Sequence, residues 1–162
     1  MGNIFYFDWE VRLIEALQSF SGSFLTSAAV FFTMLGEEYL VIVVLGLIYW
    51  CFNKELGRKV SLALSGTMIF GTLIKGVALR RRPYMDNAKV KCIRAAHSDG
   101  DIMSPAAQGF SMPSLHASMS VAVYGTLAYR IKKLLFVIIG VLLPLFIGIS
   151  RIYLGVHYPT DV

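Results

Sequence analysis

Charge is scarce in this chain: Asp, Glu, Lys and Arg make up 15% of its 162 residues, well below the roughly 25% of soluble domains. At a mean hydropathy of +0.65, too few polar groups remain to cover a folded surface in water. Disordered, collagenous and ordinary cytosolic classes are excluded. Cysteine is nearly absent too, and its two residues, Cys51 in an apolar run and Cys92 in a polar connection, do not suggest a disulfide framework. The opening MGNIFYFDWE lacks a basic stretch followed by an apolar one, so it does not read as a cleaved leader.

What is present is apolar, 56% by the AVILMFWYC set. The economical reading is one membrane-embedded domain over residues 1–162, an all-α, polytopic integral membrane helical bundle. Its expected setting is the cell membrane, crossed several times, with the lipid bilayer as partner. The net charge of +5 does not point to nucleic acid, because in a membrane protein the sidedness of Lys and Arg matters before their sum. No obligate protein partner is evident.

Residues 8–20 put Val11, Ile14, Leu17 and Gln18 at helical spacing opposite Glu10 and Glu15, an amphipathic pattern suited to an interface. The stretch 24–36 is apolar but spans only roughly 20 Å of a roughly 30 Å hydrocarbon core, so it reads either as re-entrant or as a marginal span. Four spans are clear, near 39–53, 60–79, 114–129 and 134–150. The basic short loops 53–59 (Lys54, Arg58, Lys59) and 130–133 (Arg130, Lys132, Lys133) are expected on the cytoplasmic side. The long connection 80–112 then faces outward although it is also basic, an exception that a functional demand for positive charge explains.

Lys75 lies near the end of a span, where a charge is expensive. Seven residues later, a return to within about 20° of the same helix face, comes Arg82, followed by Pro83, which ends the helix. Met112-Pro113-Ser114-Leu115-His116 opens the next span with Pro113 as a first-turn residue. Free N–H groups at a helix start, with the Ser114 hydroxyl, cradle an anion. His116 shares that turn. The last cluster is Ser150-Arg151, five residues, His157, three residues, Asp161. The step from His157 to Asp161 lets the carboxylate accept from one ring nitrogen and leaves the other free to attack or to accept a proton. Arg151 adds a planar fork suited to phosphate. Alternating spans bring all three segments to one side of the membrane, a constellation for phosphoryl transfer.

These motifs, Lys75-x6-Arg82-Pro83, Pro113-Ser114-x-His116 and Ser150-Arg151-x5-His157-x3-Asp161, resemble the type 2 phosphatidic acid phosphatase and haloperoxidase superfamily, in its membrane lipid phosphatase branch. The resemblance implies hydrolysis of a lipid phosphate monoester or lipid diphosphate at the outer face through a phosphohistidine, with neither metal nor cofactor. It implies His157 as nucleophile, Asp161 as its activator, His116 as general acid, and Lys75, Arg82, Ser114 and Arg151 as phosphate ligands. The alternative is an anion- or phospholipid-binding or transport protein that uses the same cations without hydrolysis. Two departures stand out. Leu115 occupies the usual glycine position of the second motif, and the chain stops at Val162, where a further span is expected. A chain cut short there is expected to leave Asp161 unanchored. His97 reads as a solvated loop histidine rather than a metal ligand.

Overall fold

The computed structural model describes residues 2–96 and 100–162, so the reading of His97 lies outside the described residues. The elements are helical: α1 (Asp8–Ser19), α2 (Ser23–Met34), α3 (Glu38–Leu47), α4 (Lys54–Ala78), α5 (Pro83–Asp86), α6 (Pro105–Gln108), α7 (Leu115–Ser120), α8 (Thr126–Ile131) and α9 (Leu134–Tyr153). No strand occurs among the described residues; a single bridge pairs Asn3 with Arg80.

α1 buries Val11, Ile14 and Gln18, in keeping with its spacing, but it also buries Glu10 completely. The polar face assigned to Glu10 is therefore a correction: its carboxylate has partners inside the protein, described below. Gln18 is buried because it staples remote backbone. Its amide donates to the carbonyls of Lys91 (2.8 Å) and Tyr153 (3.0 Å) and accepts from the Lys91 N–H at 2.9 Å.

The stretch 24–36 is the first limb of a bent pair. α2 meets α3, which continues through a π-helical turn Ile48–Phe52, at a bend of 52°. α4 begins at Lys54 rather than near Val60, because the Asn53 side chain caps it by accepting from the Leu56 N–H at 2.9 Å. The basic stretch 53–59, expected as a loop, is thus mostly the first turns of α4. That helix also ends early: Leu79 adopts the left-handed conformation (φ 49°), so Arg82 does not continue the helix face of Lys75. α7 and α8 are joined through a π-helical turn, Val121–Gly125, and Pro113 precedes the Ser114 cap instead of opening the helix. By length and apolarity two helices suffice to cross a membrane, α4 and α9, or three if the bent pair is one span. The expected span near 114–129 corresponds to α7, the π-helical turn and α8, which together run over residues 115–131.

Two cores organise these elements. Val41, Val60, Leu64, Met119, Val123 and Ile147 fill the bundle between α3, α4, α7 and α9. Val11, Ile14, Tyr84, Val90, Tyr153 and Val156 form a second cluster under α1 and the connection after α5. Outside the bundle, α4 exposes Phe70 (67%) and Val77 (81%), and α9 exposes Leu135 (63%) and Val141 (62%). An apolar exterior on this scale is costly in water and favourable in lipid.

Candidate active site

The ends of α4, α7 and α9 come together between the two cores. Lys75 from the last turn of α4, Arg82 from the segment after it, His116 from the first turn of α7, Arg151 from the last turn of α9, and His157 line one cavity of about 190 Å³. That volume is several times the roughly 30 Å³ share of a water molecule, and three of its walls are cationic. Convergence arises differently from the helix-face argument: the chain reverses at Leu79 and carries Arg82 back over the cavity.

Backbone carbonyls hold Lys75 and Arg82, and a threonine hydroxyl holds Arg151. Lys75 Nζ donates to the Phe110 carbonyl at 2.5 Å. Arg82 donates to the carbonyls of Gln108 (2.7 Å), Gly109 (3.1 Å) and Val156 (3.0 Å), and its Nη1 lies 3.5 Å from His157 Nε2. Arg151 Nη1 donates to Thr33 Oγ1 at 2.8 Å, while its Nε is buried without a partner. A guanidinium held at its edges by carbonyls keeps a fixed orientation and full charge, which is what recognition of an oxyanion needs.

His157 is 2% exposed. Burial, then the charges of Arg82, Arg151 and Lys75, hold its imidazole well below the usual histidine range, because the charged form loses water and faces like charge. Its Nε2 faces Arg82 on the cavity side, and its Nδ1 lies 3.6 Å from Asp161 Oδ2. That pairing falls just outside hydrogen-bond distance, as such contacts often do before substrate binds. Burial raises the Asp161 carboxyl above the ordinary range, with Arg80 pulling the other way.

Asp161 and Ser114 stand behind the cavity wall. The Ser114 N–H donates to the Asp161 carbonyl at 2.8 Å, and the Ser114 hydroxyl is buried without a partner. One of the free helix-start N–H groups is thereby used within the protein. The Asp161 carboxylate is anchored: Oδ1 accepts from Arg80 Nη1 at 2.6 Å and Oδ2 from the Tyr158 N–H at 2.7 Å. This corrects the expectation of a loose Asp161. Leu115 fits where glycine is usual because its side chain lies over Gly71 of α4, where an added Cβ would come within 2.6 Å of Leu115 Cδ2.

Sequence reasoning missed Glu10, Thr33, Arg80 and the Gln108 carbonyl. Arg80 was legible only as one of three consecutive arginines, and Thr33 and Glu10 carry no local signal of partners far along the chain. Among the described residues no group of three or more His, Cys, Asp or Glu could hold a metal ion.

Fold and cavity together define a helical membrane protein with a buried, cation-lined site at one end of its bundle. The PAP2 superfamily profile matches residues 56–162, and the chain belongs to that superfamily. It is 43% identical to phosphatidylglycerophosphatase B of Bacillus subtilis (strain 168) over a 63-residue alignment covering 33% of this chain. That alignment spans 30% of the relative's length. The fold matches a transmembrane PAP2-type phosphatidylglycerolphosphate phosphatase from Bacillus subtilis with a TM-score of 0.72 at 21% identity, covering 95% of this chain and 75% of that one. It matches LpxE of Aquifex aeolicus at 0.77 and 23% identity, covering 96% of this chain and 87% of that one.

Proposed function

We propose that this protein hydrolyses a lipid phosphate monoester or lipid diphosphate at the outer face of the cell membrane through a phosphohistidine. The observation that carries the reading is the cavity itself: three cations and two imidazoles converge there, and Nε of Arg151, one of those cations, is buried without a partner. Buried polar atoms of a native structure are nearly always paired, and a phosphoryl group supplies an acceptor for the arginine. Superfamily membership and the phosphatase named as a relative agree with the chemistry.

In the first step His157 Nε2 attacks phosphorus, an N–P bond forms, and the bond to the leaving oxygen breaks as His116 gives that oxygen a proton. In the second step water attacks the phosphorus, His116 takes the water's proton, and the N–P bond breaks to release inorganic phosphate. Lys75, Arg82 and Arg151 neutralise charge on the non-bridging oxygens, the term that dominates phosphoryl transfer. Asp161 favours the Nδ1–H tautomer of His157 and steadies the positive charge that develops on the ring. With the cations in this role, the reaction needs no metal. The lipid assignment follows from the cavity's place at one end of an apolar bundle, where a headgroup can enter while its tail stays in the bilayer.

The test is release of inorganic phosphate from short-chain phosphatidic acid, phosphatidylglycerophosphate and a lipid diphosphate by purified protein in EDTA. Release from at least one of them is expected. No release from any, or release abolished by EDTA, contradicts the reading.

A further inference from the structure

The mechanism uses Asp161 but leaves unexplained a buried charge cluster behind it. Arg80 is 1% exposed and sits between two carboxylates that are themselves inaccessible: Nη2 donates to Glu10 Oε2 at 2.8 Å and Nη1 to Asp161 Oδ1 at 2.6 Å. Its remaining donors are also engaged, Nε with the Phe5 carbonyl (2.9 Å) and Nη1 with Thr160 Oγ1 (2.8 Å). The guanidinium also packs on the rings of Tyr158 (4.1 Å) and Phe5 (4.8 Å). Glu10 reaches the same place from α1, accepting from the Thr160 hydroxyl (2.6 Å) and N–H (3.2 Å). Three segments remote in sequence are thus tied at the residue next to the proposed nucleophile.

A cluster of two carboxylates on one guanidinium is an expensive way to stabilise a fold, since buried ion pairs often do no better than apolar packing. Its geometry has a specific consequence here. With Oδ1 held by Arg80 and Oδ2 by the Tyr158 N–H, the carboxylate is fixed with Oδ2 toward His157 Nδ1. Glu10 shares the Arg80 charge, so Asp161 is not fully neutralised and keeps its capacity to stabilise a positive imidazole ring.

We infer that Glu10 and Arg80 are positioning residues for phosphoryl transfer, acting through Asp161 and making α1 part of the active site. The inference rests on the function proposed above. The test is a kinetic double-mutant cycle on the purified full chain, with thermal unfolding and monodispersity in detergent checked for every variant. Glu10→Gln removes a charge and turns one of the two acceptor oxygens into a donor; Arg80→Lys keeps the charge but loses the fork, and serves where Glu10→Gln does not fold. Each is expected to lower kcat by about ten- to a hundredfold, the scale of a small misplacement, with KM within about twofold. In an Asp161→Asn background, the same substitutions are expected to cost less than about twofold, because the residue they act through is already lost. Unchanged kcat in both single variants overturns the inference. So does an equal further loss in the Asp161→Asn background, which marks a structural role independent of Asp161. A wild-type rate in Asp161→Asn alone overturns the reading of the site, and the inference with it.

Discussion

His157 is a histidine whose surroundings oppose its protonation. Burial comes first and the charges of Arg82, Arg151 and Lys75 follow, all holding the imidazole well below the usual histidine range. The consequence for rate has a definite sign. In the proposed mechanism the neutral His157 ring is the nucleophile, so kcat/KM falls as pH drops through the His157 pKa, while a basic limb reports His116, which must carry a proton in order to give one. With that pKa depressed, the acid limb is expected below the ordinary value of about 6.5. A pH profile with its acid limb at or above that value contradicts the neutral-nucleophile assignment. Asp161 enters the same limb, since it too must be ionised and burial raises its carboxyl. The limb is therefore a property of the pair.

Among the elements, the contact between α4 and α7 places His116. Leu115 occupies the space over Gly71, so Gly71→Ala is expected to overpack that contact. The cost is about 1–3 kcal/mol, read as a lower unfolding temperature in detergent, and adding Leu115→Ala is expected to recover most of it. Failure of the second substitution to restore stability contradicts the packing account. The three motifs could be read from sequence because they are short, polar and set in apolar surroundings, and α9 because its apolar run is unbroken. Other features could not. The end of α4 is set by Leu79 at φ 49°, a leucine where local rules look for glycine. The start of α4 depends on a cap at Asn53, which turns a basic stretch that resembles a loop into helix. Glu10 fits the polar stripe of an amphipathic helix equally well until Arg80, 70 residues away, is placed beside it.

At the scale of the whole molecule, charge scarcity and charge placement describe the same object. The apolar exterior of α4 and α9 faces lipid, and the few charges gather at the two ends. Lys54, Arg58 and Lys59 at the start of α4, Arg130 in the last turn of α8 and Lys132 and Lys133 between α8 and α9 mark one end, and the cavity marks the other. Loop positive charge prefers the cytoplasm, and the function proposed above accordingly expects the cavity on the outer side. A cysteine introduced as Lys132→Cys is expected to resist an impermeant maleimide in intact cells and to react once the membrane is opened. Labelling in intact cells contradicts the orientation. The central claim is that His157 carries the phosphoryl group between substrate and water. Its most direct measurement is rapid quenching with substrate labelled in the phosphoryl group, followed by peptide mapping under alkaline conditions that preserve phosphohistidine. The account predicts label on the peptide containing His157, none in His157→Ala, and slow labelling retained in His116→Ala with an activated leaving group. Equal labelling of the wild type and His157→Ala would contradict it.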